Sequence, residues 1–135
     1  MSISLKRLFR YKRTIVNPLV LCSFNSKFPN ATHILWQQVD VFKWHVNFTL
    51  KKKKCTALFD SKGKWLETVT LVSLDKIPER LQLTLDEKNN KEGLRQIYHV
   101  QTPDRSLYEL NLNNGLYTLR LLYDLSGKIV GKVLL

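Results

Sequence analysis

Residues 42–71 read FKWHVNFTLKKKKCTALFDSKGKWLETVTL, and this stretch decides the fold. Trp44, Val46 and Phe48 alternate with polar residues, which is the period-two pattern of a strand with one buried face. The alternation resumes after the lysine run. The tetrad Asp60-Ser61-Lys62-Gly63 then predicts a hairpin turn, since aspartate hydrogen-bonds the backbone ahead of it and glycine tolerates a positive φ. The stretch therefore predicts an antiparallel meander.

A similar stretch follows 64 residues later, where residues 106–135 read SLYELNLNNGLYTLRLLYDLSGKIVGKVLL. Seven of the 30 aligned positions are identical, and the turn residues Asp60 and Gly63 match Asp124 and Gly127. Similarity at a fixed spacing indicates a repeated unit. The sequence thus predicts two related meanders, each with one more strand in front of it.

A helix is predicted before each of the two sheets. Asn17 and Pro18 suit the cap and first turn of the first helix, which ends before Pro29 because the residue preceding a proline disfavours helix. The second helix is predicted from Asp75 to about Leu85. We expect an α+β fold built as a tandem repeat of two helix-on-antiparallel-sheet units, with about four strands in each.

The predicted domain organisation is simple. Residues 1–14 form a basic N-terminal tail, and residues 15–135 form a single domain whose repeated halves span about 15–72 and 73–135. In each half the helix covers one face of the sheet and leaves the other face open. Strand alternation predicts these residues for the open, partner-binding face: His45, Asn47, Thr56, Leu58, Thr68, Thr70, Asn111, Arg120 and Lys132.

The formal net charge of +11 is concentrated in two segments. They consist of Lys6, Arg7, Arg10, Lys12 and Arg13, and of Lys51, Lys52, Lys53 and Lys54. Residues 4–13 would form either a short amphipathic helix on an anionic membrane or a solvated tail. The lysine run would either keep a hairpin edge soluble or help to bind nucleic acid, although most aromatic side chains lie on the predicted core face.

The sequence predicts no catalytic site, no metal site and no cofactor. His33, His45 and His99 have no second ligand at helical spacing, so we expect solvated histidines. Cys22 and Cys55 are expected to be buried thiols, with one disulfide bridge as the alternative. The basic N-terminal segment lacks the unbroken apolar run and cleavage site of a signal peptide, so the chain as it stands is expected to be soluble and cytoplasmic.

Two groups of residues resemble a known family. They are Asn17-Pro18-Leu19 with Phe28-Pro29-Asn30-Ala31, and Leu58-Phe59-Asp60-x-x-Gly63-Lys64-Trp65 with its later counterpart Tyr123-Asp124-x-x-Gly127-Lys128. Over roughly residues 15–135 the chain is similar to the bacterial PepSY-like, or β-lactamase-inhibitor-protein-like, domains. The resemblance implies two helix-on-four-strand units, a largely uncharacterised function, and an exported or periplasmic location.

The combined hypothesis is a non-enzymatic protein-binding or inhibitor-like module of unknown target that uses the open sheet face. The alternative is electrostatic binding to nucleic acid or anionic membrane through residues 4–13 and 51–54. The two differ in their expected response to salt, because only the second depends mainly on phosphate contacts.

Overall fold

The computed structural model describes residues 15–87, 93–113 and 115–134. These residues form helices α1 (Pro18–Lys27) and α2 (Glu79–Glu87), and strands β1 (Thr32–Asp40), β2 (Lys43–Leu50), β3 (Lys53–Asp60), β4 (Trp65–Val72), β5 (Leu94–Gln101), β6 (Ser106–Asn113), β7 (Thr118–Tyr123) and β8 (Ile129–Leu134). The predicted basic tail, residues 1–14, lies outside the described residues.

The strands form one antiparallel sheet of eight strands, and each strand pairs with the next along the chain. Short turns connect the strands within each half of the sheet. The longer connection from β4 to β5 carries α2, and these two strands still pair directly, from Thr68 opposite Gln101 to Val72 opposite Ile97. The fold is therefore α+β, with an eight-stranded meander and two helices.

Helix α1 begins and ends where the sequence predicts. The Asn17 side chain accepts a hydrogen bond from the Leu19 amide at 2.9 Å and donates one to the Ser61 carbonyl at 3.0 Å. The cap therefore ties the helix to the β3–β4 turn. The helix ends at Lys27, and the Phe28 amide donates to the Phe24 carbonyl at 2.8 Å.

Helix α2 begins later than the sequence predicts. Leu74–Lys76 forms a separate 3₁₀ turn, and the α-helix starts only at Glu79. Ile77 between them is extended, with φ −82° and ψ 160°. The physical reason is Pro78, because the proline ring disfavours the helical conformation in the residue before it.

Both helices lie on the same face of the sheet. Directly paired residues in antiparallel strands point to the same side. The register runs from Cys55 to Thr70, His99, Tyr108 and then Tyr123, which links a residue packed under α1 to one packed under α2. We call this side the helix face and the opposite side the open face.

Two separate hydrophobic clusters fill the helix face. One joins α1 to β2 and β3 through Val20, Phe24, Trp44, Val46, Phe48, Cys55, Ala57 and Phe59. The other joins the α2 region to β5, β6 and β7 through Ile77, Leu81, Leu85, Ile97, Tyr108, Leu110, Leu112, Leu121 and Tyr123. Each helix is thus held mainly by its own part of the sheet.

The β3–β4 and β7–β8 turns have the same geometry. In the first, the Asp60 carboxylate accepts from the Lys62 and Lys64 amides, both at 2.9 Å, and Gly63 has φ +89°. In the second, Asp124 accepts from the equivalent amides two and four residues further on, and Gly127 has φ +87°. Both glycines sit directly beneath a helix.

A β-bulge follows each of these turns and corrects the predicted open face. Phe59 pairs with Trp65 and Leu58 with Glu67, so Leu66 is an extra residue that reverses the alternation of β4. Thr68 and Thr70 therefore lie on the helix face, and Thr68 is buried. In β8, Val130 is the extra residue of the second bulge and reverses the alternation in the same way. Lys132 therefore lies opposite Leu121, on the helix face.

Candidate functional site

The open face carries an apolar strip in the middle of the sheet. Val69, Val100 and Leu107 lie opposite one another on β4, β5 and β6, and Leu71 lies opposite Tyr98 one row further on. Leu107 is buried by its neighbours, and the other four are partly exposed. Both described helices lie on the other side of the sheet, so no helix of the described residues covers these side chains.

Polar pairs flank the apolar strip on both sides. On β2 and β3, Asn47 lies opposite Thr56, whose hydroxyl donates to the Asn47 side-chain oxygen at 2.7 Å. On β6 and β7, Asn111 lies opposite Arg120, and the Arg120 Nε is 3.5 Å from a Glu109 carboxylate oxygen. The open face therefore has an apolar centre flanked by polar pairs, which we call the polar rim, and the outer strands add Leu35 opposite Asn47 and Val133 opposite Arg120.

Six of the nine residues predicted for this face lie on it. They are His45, Asn47, Thr56, Leu58, Asn111 and Arg120. The register separates them into a β2–β3 group and a β6–β7 group, with the apolar strip between the two. Thr68, Thr70 and Lys132 do not join either group, because the two bulges turn them to the helix face.

Sequence reasoning missed the apolar strip itself. Regular alternation in β4 assigns Val69 and Leu71 to the core, and the two sides of β5 are too similar in polarity to be told apart. The one available signal was the adjacent pair Trp65-Leu66, since two apolar residues in succession directly after a turn can indicate a bulge.

A row of polar side chains crosses the helix face between the two hydrophobic clusters. Trp65 Nε1 donates to the Thr68 hydroxyl at 2.7 Å, and the Cys55 sulfur is 3.6 Å from the Thr70 hydroxyl. His99 Nε2 is hydrogen-bonded to the Ser106 hydroxyl, so the row continues onto β5 and β6. We call Thr68, Thr70, His99 and Ser106 the polar row.

His99 differs from the solvated histidine that the sequence predicts. It is partly buried and stacks on Tyr108, with ring centroids 4.7 Å apart and an interplanar angle of 11°. Burial, and to a lesser degree the charge of Lys53, lowers the pKa of His99 below its ordinary value of 6.5. Burial also raises the pKa of Tyr108. His33 is exposed, and His45 lies on the open face.

The two cysteines are not bonded to each other, and only one of them is buried. Cys55 lies in the cluster under α1, as predicted for a small apolar side chain. Cys22 is exposed on α1, which corrects the prediction for that residue. A thiol on this surface of the helix is open to reagents, whereas the Cys55 thiol is shielded.

The two predicted basic segments differ in how far the structure describes them. Lys6, Arg7, Arg10, Lys12 and Arg13 lie outside the described residues. Lys51 and Lys52 form the β2–β3 turn, and Lys53 and Lys54 begin β3. All four of these lysines are exposed.

Metal-ligating groups and membrane-spanning helices are both lacking in the described part of the chain. Within residues 15–87, 93–113 and 115–134, no three histidine, cysteine or acidic side chains are grouped so that they could hold a metal ion. Over the same ranges, neither helix has the length and apolar character needed to cross a membrane.

Comparison with known proteins finds similarity only at the level of structure. No family model matches the sequence, and neither does any curated protein. A DUF2874 family protein from Bacteroides ovatus superposes with a TM-score of 0.82 at 18% sequence identity, over 90% of this chain and 89% of that one. A BLIP-like protein from Bacteroides fragilis gives a TM-score of 0.82 at 17% identity, over 90% and 88%.

A third structure, from Bacteroides eggerthii, is described provisionally as a periplasmic protein. It has a TM-score of 0.80 at 16% identity and covers 90% of both chains. These likenesses support the predicted resemblance to the BLIP-like proteins, whereas the PepSY-like part of that resemblance stays a prediction. By its eight-stranded sheet and two helices, the chain has the fold shared by these DUF2874 and BLIP-like proteins of Bacteroides.

Proposed function

We propose that this protein is a non-enzymatic protein-binding module that captures its target on the open face of the sheet. The observation that carries the proposal is the apolar strip of Val69, Leu71, Tyr98, Val100 and Leu107 on a face that the described helices do not cover. An apolar centre inside a polar rim is the usual anatomy of a protein interface. Tyrosine, here Tyr98, is among the residues that most often dominate binding energy.

The polar rim would determine the orientation of the bound partner more than the affinity for it. Asn47, Thr56, Asn111 and Arg120 offer hydrogen-bond donors and acceptors on either side of the strip. The Glu109–Arg120 ion pair is partly exposed, with side chains 22% and 40% accessible, so it contributes little to stability by itself. Such groups select a complementary partner and set its orientation.

The structural neighbours support a protein as the partner class. One of them is described as BLIP-like, and all three of these Bacteroides proteins share the fold of this chain. Fold alone does not determine a target, so the proposal does not extend to β-lactamase inhibition. The target is to be found by experiment.

The proposal includes the domain organisation predicted from sequence, a tandem repeat with halves of about 15–72 and 73–135. The repeated turns support it. A side chain at Gly63 would meet the Leu19 carbonyl and the Ser23 hydroxyl, and one at Gly127 would meet Arg80 and Thr84 in the same way. Each half would then contribute one polar flank to the open face, with the apolar strip at their junction.

The test begins with capture of a partner by tagged full-length protein from its native cells, at low and at moderate salt. The captured protein is purified and its affinity is measured directly. Val69→Glu combined with Val100→Glu places charge on the strip and should weaken binding roughly tenfold or more, because buried unpaired charge is costly at an interface.

Leu19→Glu combined with Leu83→Glu is the matched control, since it adds the same two charges on α1 and α2, where the two side chains are 59% and 53% exposed. It should leave affinity unchanged. Circular dichroism shows whether the variants remain folded. If the double variant is folded and binds as tightly as the wild type, the open face is not the binding surface.

The electrostatic alternative, binding of nucleic acid or anionic membrane through residues 4–13 and 51–54, stays a prediction. This alternative predicts that the affinity for nucleic acid or anionic membrane decreases steeply as the salt concentration rises. A partner that remains bound at moderate salt and is lost on changing the apolar strip would contradict it.

A further inference from the structure

An open groove lies at the end of the sheet where the β2–β3 turn meets the β4–β5 connection. It has a volume of about 980 Å³. Six basic residues line it: Lys51, Lys52, Lys53, Lys54, Lys76 and Arg95. All six are exposed, and none of the described lining residues is acidic. The groove is therefore strongly positive, and it shares only Leu71 with the apolar strip.

Three chain segments that are distant in sequence supply this charge. The lysine run comes from the β2–β3 hairpin, Lys76 from the 3₁₀ turn after β4, and Arg95 from the start of β5. Arg95 is the extra residue of a bulge, between Leu94 opposite Leu112 and Gln96 opposite Asn111. Bulges often redirect a side chain toward a functional surface. Asp75, the acid of the 3₁₀ turn, accepts a hydrogen bond from the Ser73 hydroxyl at 2.6 Å and is not among the lining residues of the groove.

The turn that carries the first two lysines is strained. Lys51 and Lys52 have φ +50° and +66°, a left-handed conformation that two-residue hairpin turns usually give to asparagine and glycine. Lysine has no local interaction that favours this conformation, so its presence at both positions is unfavourable for folding. Strain kept at an exposed, charged position points to a role outside folding.

The groove also has aliphatic walls. Leu71, Val72 and Leu74 line it from β4 and the following turn, and Leu94 and Ile97 line it from β5. No aromatic side chain is among the described lining residues, so the groove lacks the stacking platforms of single-strand nucleic-acid sites.

We propose that this groove binds an extended acidic segment of another protein, in which carboxylate side chains alternate with aliphatic ones. The carboxylates would pair with the lysines and Arg95, while the aliphatic side chains would contact Leu71, Leu74 and Leu94. Charge complementarity would speed the encounter, and the aliphatic contacts would distinguish this ligand from other polyanions. The groove shares only Leu71 with the apolar strip, and the variants that test the two sites change different residues, so either proposal can fail alone.

The decisive variant is Lys51→Asn with Lys52→Gly. It removes two groove charges and also installs the residues that this turn prefers, so it should raise the melting temperature by a few degrees. The control is Lys62→Gln with Lys128→Gln, which removes two lysines from turns at the opposite end of the strands. The two variants have equal net charge.

The probe is a fluorescent synthetic peptide in which glutamate alternates with leucine, titrated into the full-length protein. We expect roughly tenfold weaker binding to the groove variant and unchanged binding to the control, since exposed charge pairs each contribute modestly. A peptide of alternating glutamate and serine should bind several-fold more weakly to the wild type.

Three results would overturn the proposal. In the first, the groove variant binds the glutamate–leucine peptide as tightly as the control does. In the second, the serine peptide binds as well as the leucine peptide, which shows unspecific attraction by charge. In the third, oligothymidylate or phosphatidylglycerol vesicles bind more tightly than the peptide and lose that binding in the groove variant, which assigns the groove to nucleic acid or membrane instead.

Discussion

His99 is the titratable side chain with the most unusual surroundings among the described residues. It lies in the polar row between the two hydrophobic clusters, bonded to Ser106 and stacked on Tyr108. Burial and the nearby Lys53 both oppose its protonation, with burial the larger cause, and lower its pKa. A histidine held in the neutral form couples folding stability to pH.

The sign of that coupling follows from the lowered pKa. Below about pH 6.5 the unfolded chain protonates His99 more readily than the folded chain does, so protons favour unfolding. The contribution of neutral His99 to the free energy of unfolding is complete above about pH 6.5. It is lost as the pH falls through the pKa that His99 has in the folded state. We therefore expect the urea concentration at the midpoint of unfolding to decrease when the pH is lowered from about 7.5 to about 5.5.

His99→Gln should reduce that fall, because glutamine does not titrate. Urea unfolding of both proteins at the two pH values provides the measurement. An NMR titration gives an independent readout, in which the His99 ring signals should shift at a pH below 6.5. An identical pH dependence of stability in the two proteins would show that His99 is not the group responsible.

At the scale of elements, each helix rests on a hairpin turn as well as on the sheet. An added side-chain carbon at Gly63 would lie 2.7 Å from the Leu19 carbonyl of α1, and one at Gly127 would lie 2.6 Å from the Thr84 hydroxyl of α2. Gly115 has a similar positive φ of +90°, but apart from its chain neighbours no atom of the described residues lies within 4 Å of that position. Substitutions at these three glycines therefore distinguish the cost of a positive φ, which all three share, from the cost of a clash with a helix, which arises only at Gly63 and Gly127.

Gly63→Ala should lower the free energy of unfolding by about 3 kcal/mol, as the sum of a left-handed backbone penalty and a steric clash with α1. Gly115→Ala should cost only about 1 kcal/mol, since it carries the first penalty alone. Urea unfolding measures both. Equal losses in the two variants would mean that the turn does not support the helix.

The β2–β3 turn has a backbone conformation that lysine disfavours. The β2–β3 hairpin places two residues in the left-handed region without glycine or asparagine, while the β3–β4 and β7–β8 hairpins use glycine there. The strained hairpin is the one that lines the basic groove.

At the scale of the whole molecule, one continuous sheet connects two cores that share no buried residue. The direct pairing of β4 with β5 joins them, and the polar row occupies the helix face between them. Apart from Val72 opposite Ile97, this junction carries the polar row on its helix face and partly exposed apolar pairs on its open face, so the halves should open partly independently.

Phe24→Ala should accelerate backbone hydrogen exchange mainly in β1–β4, and Leu110→Ala mainly in β5–β8. Each removes a fully buried side chain from one cluster, at a cost of about 3–5 kcal/mol for phenylalanine and 2–5 kcal/mol for leucine. Hydrogen exchange followed by mass spectrometry resolves the two halves. Acceleration spread evenly over the whole sheet in either variant would show that the molecule unfolds as one unit.

Much of the secondary structure could be predicted from local residues. Asn17 and Pro18 start α1 and the Phe28-Pro29 pair ends it, and Leu94–Gln101 forms the strand that the sequence predicts in front of the second meander. These features depend on capping, on proline and on alternation, which act over a few residues. The late start of α2 is also a local effect, because Pro78 disfavours helix in the residue before it. The prediction for α2 did not take this effect into account.

The faces of the strands depended on the tertiary structure. Alternation assigns a face only while a strand is regular, and the bulges at Leu66 and Val130 reverse it, so Thr68, Thr70 and Lys132 lie opposite to their predicted side. The apolar strip and the basic groove likewise need the β4–β5 pairing, which joins residues about 30 positions apart. The sequence by itself therefore determined the elements and the charge, while only the packed sheet decided which side chains share a surface.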